Sequence, residues 1–178
     1  FAAVYVPNAP VAYIKNLKVT DFQYYYLKNN QPFQLVNGGL SANYNDVYDF
    51  KNGKKEFKEG GKTTADAVLK EAISYFAAQN YSESLGDFEV LLKLDKTDVN
   101  ANFYSGMSFY FLGKFNKALS YFDNVIQNPN NIFDQEAEFY KAICLKKAGQ
   151  TTEAETLFRK IISDNGFYAN RALEELKK

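Results

Sequence analysis

The chain has 178 residues, enough for one domain with a substantial hydrophobic core, and its formal net charge is zero because 21 basic residues balance 21 acidic ones. This balance does not favour nucleic acid or an anionic membrane surface as a partner. Histidine is absent, which excludes Ser-His-Asp and Cys-His catalysis and histidine-containing zinc sites, and no run of 18 apolar residues predicts a membrane span.

Residues 1–62 form a first segment that is rich in aromatic residues and interrupted by prolines. Asn52-Gly53 is a turn signal for a two-residue β-hairpin between Tyr48–Phe50 and Lys54–Phe57. Phe22–Leu27 fits a strand or a short helix, and its periodicity does not decide between them. We predict an N-terminal extension of partly β or irregular structure that packs on the part of the chain that follows.

Residues 63–178 show the apolar spacing of amphipathic helices. The pattern predicts three helical hairpins and a final helix, with the bounds Ala65–Ala78 and Ser82–Leu94, Val99–Leu112 and Phe115–Gln127, Asp134–Ala148 and Thr152–Ser163, and Tyr168–Lys177. Thr64 is the predicted N-cap of the first helix. Gly113 and Gly149 fall in tight turns, where a left-handed backbone is easiest for glycine.

The final helix resembles the polar-faced helix that closes a stack of helical repeats. Its apolar residues Ala169, Ala172, Leu173 and Leu176 are expected to face inward. We therefore predict that it caps the stack.

Four residue types recur at a fixed spacing in the second half of the chain: a small residue, a glycine, an alanine and a phenylalanine. The two clear copies, 36 residues apart, are Gly106, Gly113, Ala118 and Phe122, and Ala142, Gly149, Ala154 and Phe158. A fainter copy, 34 residues earlier, has Ala72, Tyr81, Ser84 and Phe88 where Gly106, Phe115, Ala118 and Phe122 stand. Periods of this length are typical of stacked helical hairpins.

These residues resemble the tetratricopeptide repeat (TPR) family, and in particular bacterial TPR-containing proteins. The resemblance implies a mainly α fold, an α-α superhelix (solenoid) of about three hairpins with a capping helix. It also implies a non-catalytic scaffold or adaptor that binds a partner protein or peptide, with no cofactor and no metal.

In such repeats the first helix of each hairpin lines a concave groove. The groove positions that carry over are Asp66, Leu69, Ile73, Phe76 and Ala77, then Asn100, Phe103, Met107, Tyr110 and Phe111, and then Glu136, Phe139, Ile143, Lys146 and Lys147. The predicted partner-binding residues among them are Phe103, Met107, Tyr110, Phe139 and Ile143, with Lys146 and Lys147 as orienting charges. A groove with this many aromatic residues could bind an extended or helical peptide. Equally, the chain's own N-terminal segment could cover it.

Two other hypotheses stay open at this point. In the first, the chain is a self-assembling structural spacer whose N-terminal segment fills its own or a neighbour's groove, so homo-oligomers are allowed. In the second, carboxylates such as Asp46 and Asp49 form an enzymatic site, although no activating residue accompanies them at a recognised spacing. Cys144, the single cysteine, is expected to be a buried packing residue rather than a reactive thiol.

The chain begins at Phe1 rather than at methionine, which indicates a fragment or a processed product. Together with the resemblance to anchored bacterial members, this suggests the cell envelope or periplasm, with the cytoplasm as the alternative.

Overall fold

The computed structural model describes residues 11–20, 34–36, 39–41, 48–51, 54–57, 64–129 and 131–178, with side chains for 14–20, 64–129 and 131–178. Helices dominate from residue 65 onward. Their bounds are α1 Ala65–Ala77, α2 Tyr81–Leu94, α3 Val99–Phe111, α4 Phe115–Ile126, α5 Asp134–Lys147, α6 Thr151–Ser163 and α7 Ala169–Leu176. Every predicted helix is confirmed, and each bound lies within one residue of its predicted position.

The starts and turns of the helices follow from local chemistry. The hydroxyl oxygen of Thr64 accepts a hydrogen bond from the Ala67 N–H at 3.2 Å, which confirms Thr64 as the N-cap of α1. Gly113 and Gly149 have φ angles of 69° and 82°, the left-handed conformation predicted for both turns. In the turn of the first hairpin, Gln79 adopts the same conformation, with φ of 63°, although it is not a glycine.

Successive helices pack as antiparallel neighbours, and the first helices of successive hairpins also contact each other: α1 touches α3, and α3 touches α5. We call α1, α3, α5 and α7 the inner helices. Phe88, Phe122 and Phe158 occupy the second helix of each hairpin and are at most 1% exposed. Phe88 stacks on Tyr104 of the next hairpin, whereas Phe122 and Phe158 contact Phe103 and Phe139 of their own hairpins. Gly106 permits this packing in α3, because a Cβ at this position would lie 2.8 Å from the Phe122 ring.

The described part of the first 62 residues contains three antiparallel β-hairpins. They pair β1 Val11–Ile14 with β2 Leu17–Thr20, β3 Gln34–Val36 with β4 Gly39–Ser41, and β5 Tyr48–Lys51 with β6 Lys54–Phe57. Lys51 lies opposite Lys54, the register that the Asn52-Gly53 signal predicts. Asn52, Gly53 and the segment Phe22–Leu27 lie outside the described residues.

The β1–β2 hairpin packs directly against the helices, with β1 beside α1 and β2 beside α3. Its connecting residues Lys15 and Asn16 have φ angles of 51° and 64°, as a two-residue hairpin turn with two left-handed residues requires. Val19 is 1% exposed and belongs to the same hydrophobic core as the inner helices. The prediction that the N-terminal extension packs on the repeats is therefore confirmed for this hairpin.

The capping helix α7 differs from the prediction at one residue. Ala172 is fully buried, but Leu173 is 42% exposed rather than facing inward. The reason is helical geometry: successive residues of a helix are rotated by about 100°, so Leu173 lies at the edge of the buried face, and Ala172 lies at its centre. Among the residues that the structure describes, no helix has the length and apolar character needed to cross a membrane.

Candidate functional site

The inner helix α3 holds the edge of strand β2 through an asparagine side chain. Asn100 Oδ1 accepts a hydrogen bond from the Thr20 N–H at 2.8 Å, and Asn100 Nδ2 donates to the Thr20 carbonyl at 3.4 Å. Both residues are buried. A side-chain amide carries one acceptor and a donor group, so it can pair with both backbone groups of one strand residue. This contact binds backbone and is independent of the strand's side chains.

Lys18, two residues before Thr20, reaches from β2 to the start of α5. Its Nζ donates to the Ile132 carbonyl at 2.8 Å and to the Glu136 carboxylate, and it lies 5.0 Å from the centre of the Phe133 ring. The Tyr104 hydroxyl of α3 donates to the Lys18 carbonyl. Burial, with a smaller effect of nearby Glu136, raises the pKa of Tyr104 well above its usual range, so this hydroxyl stays a donor.

Two stacked pairs of aromatic rings lie along the inner helices. Phe103 stacks on Phe133 with ring centres 4.0 Å apart and 6° between planes. One repeat further, Phe139 stacks on Tyr168 at 4.7 Å and 24°. The Arg171 guanidinium lies 4.6 Å from the Phe139 ring centre. Phe103 and Phe139, the two phenylalanines among the predicted partner-binding residues, are thus each covered by the aromatic residue that precedes the next inner helix.

The predicted apolar groove residues form a buried layer. Phe103, Met107, Phe139 and Ile143 are between 2% and 8% exposed. Tyr110 is only partly buried, and its ring lies 5.3 Å from that of Tyr140 on α5. Among the aromatic partner-binding residues that were predicted, Tyr110 is therefore the one that an incoming molecule can reach. Phe111, a groove position outside that set, is 48% exposed.

Lys146 and Lys147 lie in different environments. Lys146 Nζ donates to the Glu175 carbonyl at 2.5 Å and lies 3.3 Å from a Glu175 carboxylate oxygen, which ties α5 to α7. Lys147 is exposed. Of the two predicted orienting charges, Lys146 has a structural partner, and Lys147 is directed to solvent.

An open cleft of about 470 Å³ adjoins the Lys18 contact. It runs from Lys18 and Glu136 to Phe167 and Tyr168, which precede α7. Phe167 is 82% exposed, the most exposed of the large apolar side chains that the structure describes. The cleft leaves the inner surface beside β2 accessible.

Sequence reasoning overlooked the β1–β2 hairpin and Phe133. A signal for Phe133 existed: Phe133 and Tyr168 each stand immediately before an inner helix, 35 residues apart. For Lys18 and Thr20 no local signal existed, because their partners are distant in the sequence. Glu136, the partner of Lys18, lies 118 residues away, and Asn100, the partner of Thr20, lies 80 residues away.

Cys144 is buried, as expected, and burial raises the pKa of its thiol to about 12, so it is not a reactive thiolate at neutral pH. Across the described residues, the Asp, Glu and Cys side chains form no group of three that could hold a metal ion. Asp46 lies outside the described residues, and only the backbone of Asp49 is described. The carboxylate hypothesis therefore stays a prediction.

Comparison with known proteins agrees with the helical arrangement. No curated protein matches the chain. A family model described as the tetratricopeptide repeat matches residues 100–131 and 136–165, which cover all but the first one or two residues of the hairpins α3–α4 and α5–α6. The packing repeats as well: Phe103–Phe122 and Phe139–Phe158 have ring centres 6.3 and 6.2 Å apart, both at 61°. The chain therefore contains tetratricopeptide repeats at these two hairpins.

Proposed function

We propose that this chain is a non-catalytic protein-interaction module that holds an extended peptide segment on the inner face of its repeats. TPR repeats generally mediate protein–protein interaction, which gives the class of function. The observation that carries the specific proposal is the pairing of Asn100 with both backbone groups of Thr20. A surface that binds one strand by its backbone can bind another of similar shape.

The proposed binding face has a buried floor and an accessible rim. Phe103, Met107, Phe139 and Ile143 form the floor, which sets the spacing of the inner helices. Tyr110 and the exposed Lys147 belong to the rim and are proposed to contact the partner directly. A binding role rather than catalysis is supported by the absence of histidine from the sequence and by the buried state of Cys144.

A self-assembling spacer is the second candidate. It is supported by the position of the hairpin: Thr20 docks on α3, yet 43 residues separate it from Thr64 at the start of the helices. Even with the hairpins β3–β4 and β5–β6 formed, the residues of this connection outside them (21–33, 42–47 and 58–63) can span up to about 80 Å, so a neighbouring copy is within reach. We also propose that the chain divides into an extension, residues 1–62, and a repeat domain, residues 63–178. The extension's first hairpin serves as a built-in ligand.

Site-directed photocross-linking tests the binding face. A photoreactive phenylalanine analogue replaces Tyr110, on an inner helix, or Tyr121, on α4; both tyrosines are partly buried. We expect the protein to cross-link to a partner in a host-cell lysate from position 110 and much less from position 121. Cross-linking from position 121 alone would place the interface on the other helical layer and refute the proposal. Cross-linking mainly to a second copy, with a mass that rises with concentration, would favour the spacer.

A further inference from the structure

The side chain of Lys18 occupies a pocket that is suited to a cation. Its Nζ lies 2.8 Å from the Ile132 carbonyl oxygen, bonds to the Glu136 carboxylate, and sits 5.0 Å from the Phe133 ring centre. A carbonyl, a carboxylate and an aromatic face each attract positive charge, and no group in this contact repels it. Glu136 lies in the first turn of α5, where the helix dipole stabilises its negative charge.

One part of this arrangement, a cation over a stacked aromatic pair, recurs one repeat later, where Arg171 lies 4.6 Å from the Phe139 ring centre and 5.3 Å from that of Tyr168. There the cation comes from the inner helix α7, which is part of the scaffold itself. At the Lys18 pocket, by contrast, the cation comes from a short β-hairpin packed on the helices. The first pocket is therefore the one whose cation can be exchanged for that of another molecule.

The neighbouring contacts define the rest of the ligand. Asn100 binds the backbone two residues beyond the lysine, and the residue between them, Val19, is 1% exposed in the core. The pocket thus accepts a lysine, then an aliphatic residue, then a small residue with a free backbone N–H and C=O, since Thr20 at this position is only 4% exposed. The cleft of about 470 Å³ beside Lys18 gives an incoming segment access to this position.

From this geometry we propose that the pocket of Ile132, Phe133 and Glu136 recognises a lysine side chain in an extended segment of a partner protein. The chain's own β1–β2 hairpin occupies the pocket as a competitor until such a segment displaces it. This inference rests on the proposed function and names the partner's chemistry.

A peptide-binding assay on the full chain tests it. The probe is a fluorescein-labelled peptide with the sequence of residues 11–20, and its control has methionine in place of the lysine that corresponds to Lys18 and keeps the one that corresponds to Lys15. Both are titrated by anisotropy into the wild-type chain, the Lys18→Met chain and the Lys18→Met/Glu136→Gln chain, each checked for folding by circular dichroism. Hydrogen exchange of β2 amides reports whether the hairpin is released.

We expect the lysine peptide to bind the Lys18→Met chain about tenfold tighter than wild type, because the internal competitor is weakened. The methionine peptide should bind that chain about tenfold more weakly than the lysine peptide, and Glu136→Gln should remove most of this preference. Equal binding of the two peptides would overturn lysine recognition and leave the proposed function intact.

Two other results would overturn the inference. If the Lys18→Met chain shows unchanged exchange in β2, Lys18 does not hold the hairpin and the competitor role is wrong. If β2 is released and neither peptide binds, the pocket is not a ligand site. Cross-linking at position 110 then decides the proposed function separately.

Discussion

The amide of Asn100 takes the place of a neighbouring strand beside Thr20, accepting from its N–H at 2.8 Å and donating to its carbonyl at 3.4 Å. Both residues are buried, so each bond is shielded from water. An inner helix of the repeats thereby joins the edge of a β-hairpin from the N-terminal extension. The inner face is a surface that can hold extended chain.

Removing this amide should release the hairpin. In the Asn100→Ala variant the buried Thr20 N–H loses its acceptor, and we expect the free energy of unfolding to fall by about 1–3 kcal/mol. Urea denaturation measures the loss, and hydrogen exchange should rise at Thr20. Asn170→Ala is the matched control, since Asn170 is also the second residue of an inner helix but is exposed. Equal losses in the two variants would show that the amide contact does not stabilise the hairpin.

The two helical glycines should respond to alanine with opposite signs. A Cβ at Gly106 would lie 2.8 Å from the Phe122 ring, and we expect Gly106→Ala to destabilise the protein by about 1–3 kcal/mol. At Gly86, in α2, no atom lies within 4 Å of the added Cβ, so Gly86→Ala should stabilise by about 0.5–1 kcal/mol through helix propensity. Urea denaturation of both variants provides the comparison. A neutral Gly106→Ala would mean that the Phe122 ring can move aside.

Replacing Gln79 with glycine should stabilise the left-handed turn of the first helical hairpin. Gln79 has a φ angle of 63°, where a Cβ is strained, and it is exposed. We expect Gln79→Gly to raise the free energy of unfolding by about 0.5 kcal/mol, the relief being partly offset by the greater freedom of glycine in the unfolded chain.

The reciprocal change, Gly113→Ala, serves as the control for that prediction. Its added Cβ meets no atom within 4 Å, so backbone strain alone should lower stability, by about 1 kcal/mol. Thermal or urea unfolding reports both changes. Destabilisation by Gln79→Gly would show that the Gln79 side chain makes a useful contact.

Asp98 should make stability depend on pH. It caps α3, with one carboxylate oxygen accepting from the Ala101 N–H at 2.8 Å, and the other oxygen has no hydrogen-bond partner among the described residues. Burial raises the pKa of Asp98 from 3.8 to about 6, against the opposing effect of the backbone hydrogen bonds from Ala101 and Asn100. Because the folded-state pKa is the higher one, the cost of burying the charge is present at neutral pH. It disappears as the pH falls from about 6 to below about 4.

The Asp98→Asn variant isolates this effect, since asparagine caps helices as well as aspartate does. We expect the variant to be more stable than the wild type at pH 7, by on the order of 1–3 kcal/mol, and nearly equal at pH 4. Urea denaturation at both pH values measures the difference. The same difference at pH 4 and pH 7 would refute a titrating, buried Asp98.

Local sequence patterns were sufficient to predict the helices and their bounds. The bounds of α1 to α7, the Thr64 cap and the left-handed glycines Gly113 and Gly149 all depend on residues within a few positions of each other. The repeat of Gly106, Ala118 and Phe122 at 36 residues also predicted the close packing of the two helices within a hairpin, since Phe122 contacts Phe103 as Phe158 contacts Phe139.

The predicted partner-binding positions stay a prediction, and their surroundings were foreseen only in part. The burial of Phe103 and Phe139 was not predicted, because Phe133 and Tyr168 cover them from outside the helices that carry them. Leu173 was predicted inward and is exposed, because it lies at the edge of the buried face of α7.

The sequence by itself determined the class of fold, because short-range periodicity, capping and glycine placement specify helices and their repeat. Only the tertiary structure decided what lies on the inner face. The contacts of Lys18 with Glu136 and of Thr20 with Asn100 join residues 118 and 80 positions apart. Such contacts form only once the helices are stacked, and they leave no periodic trace in the chain.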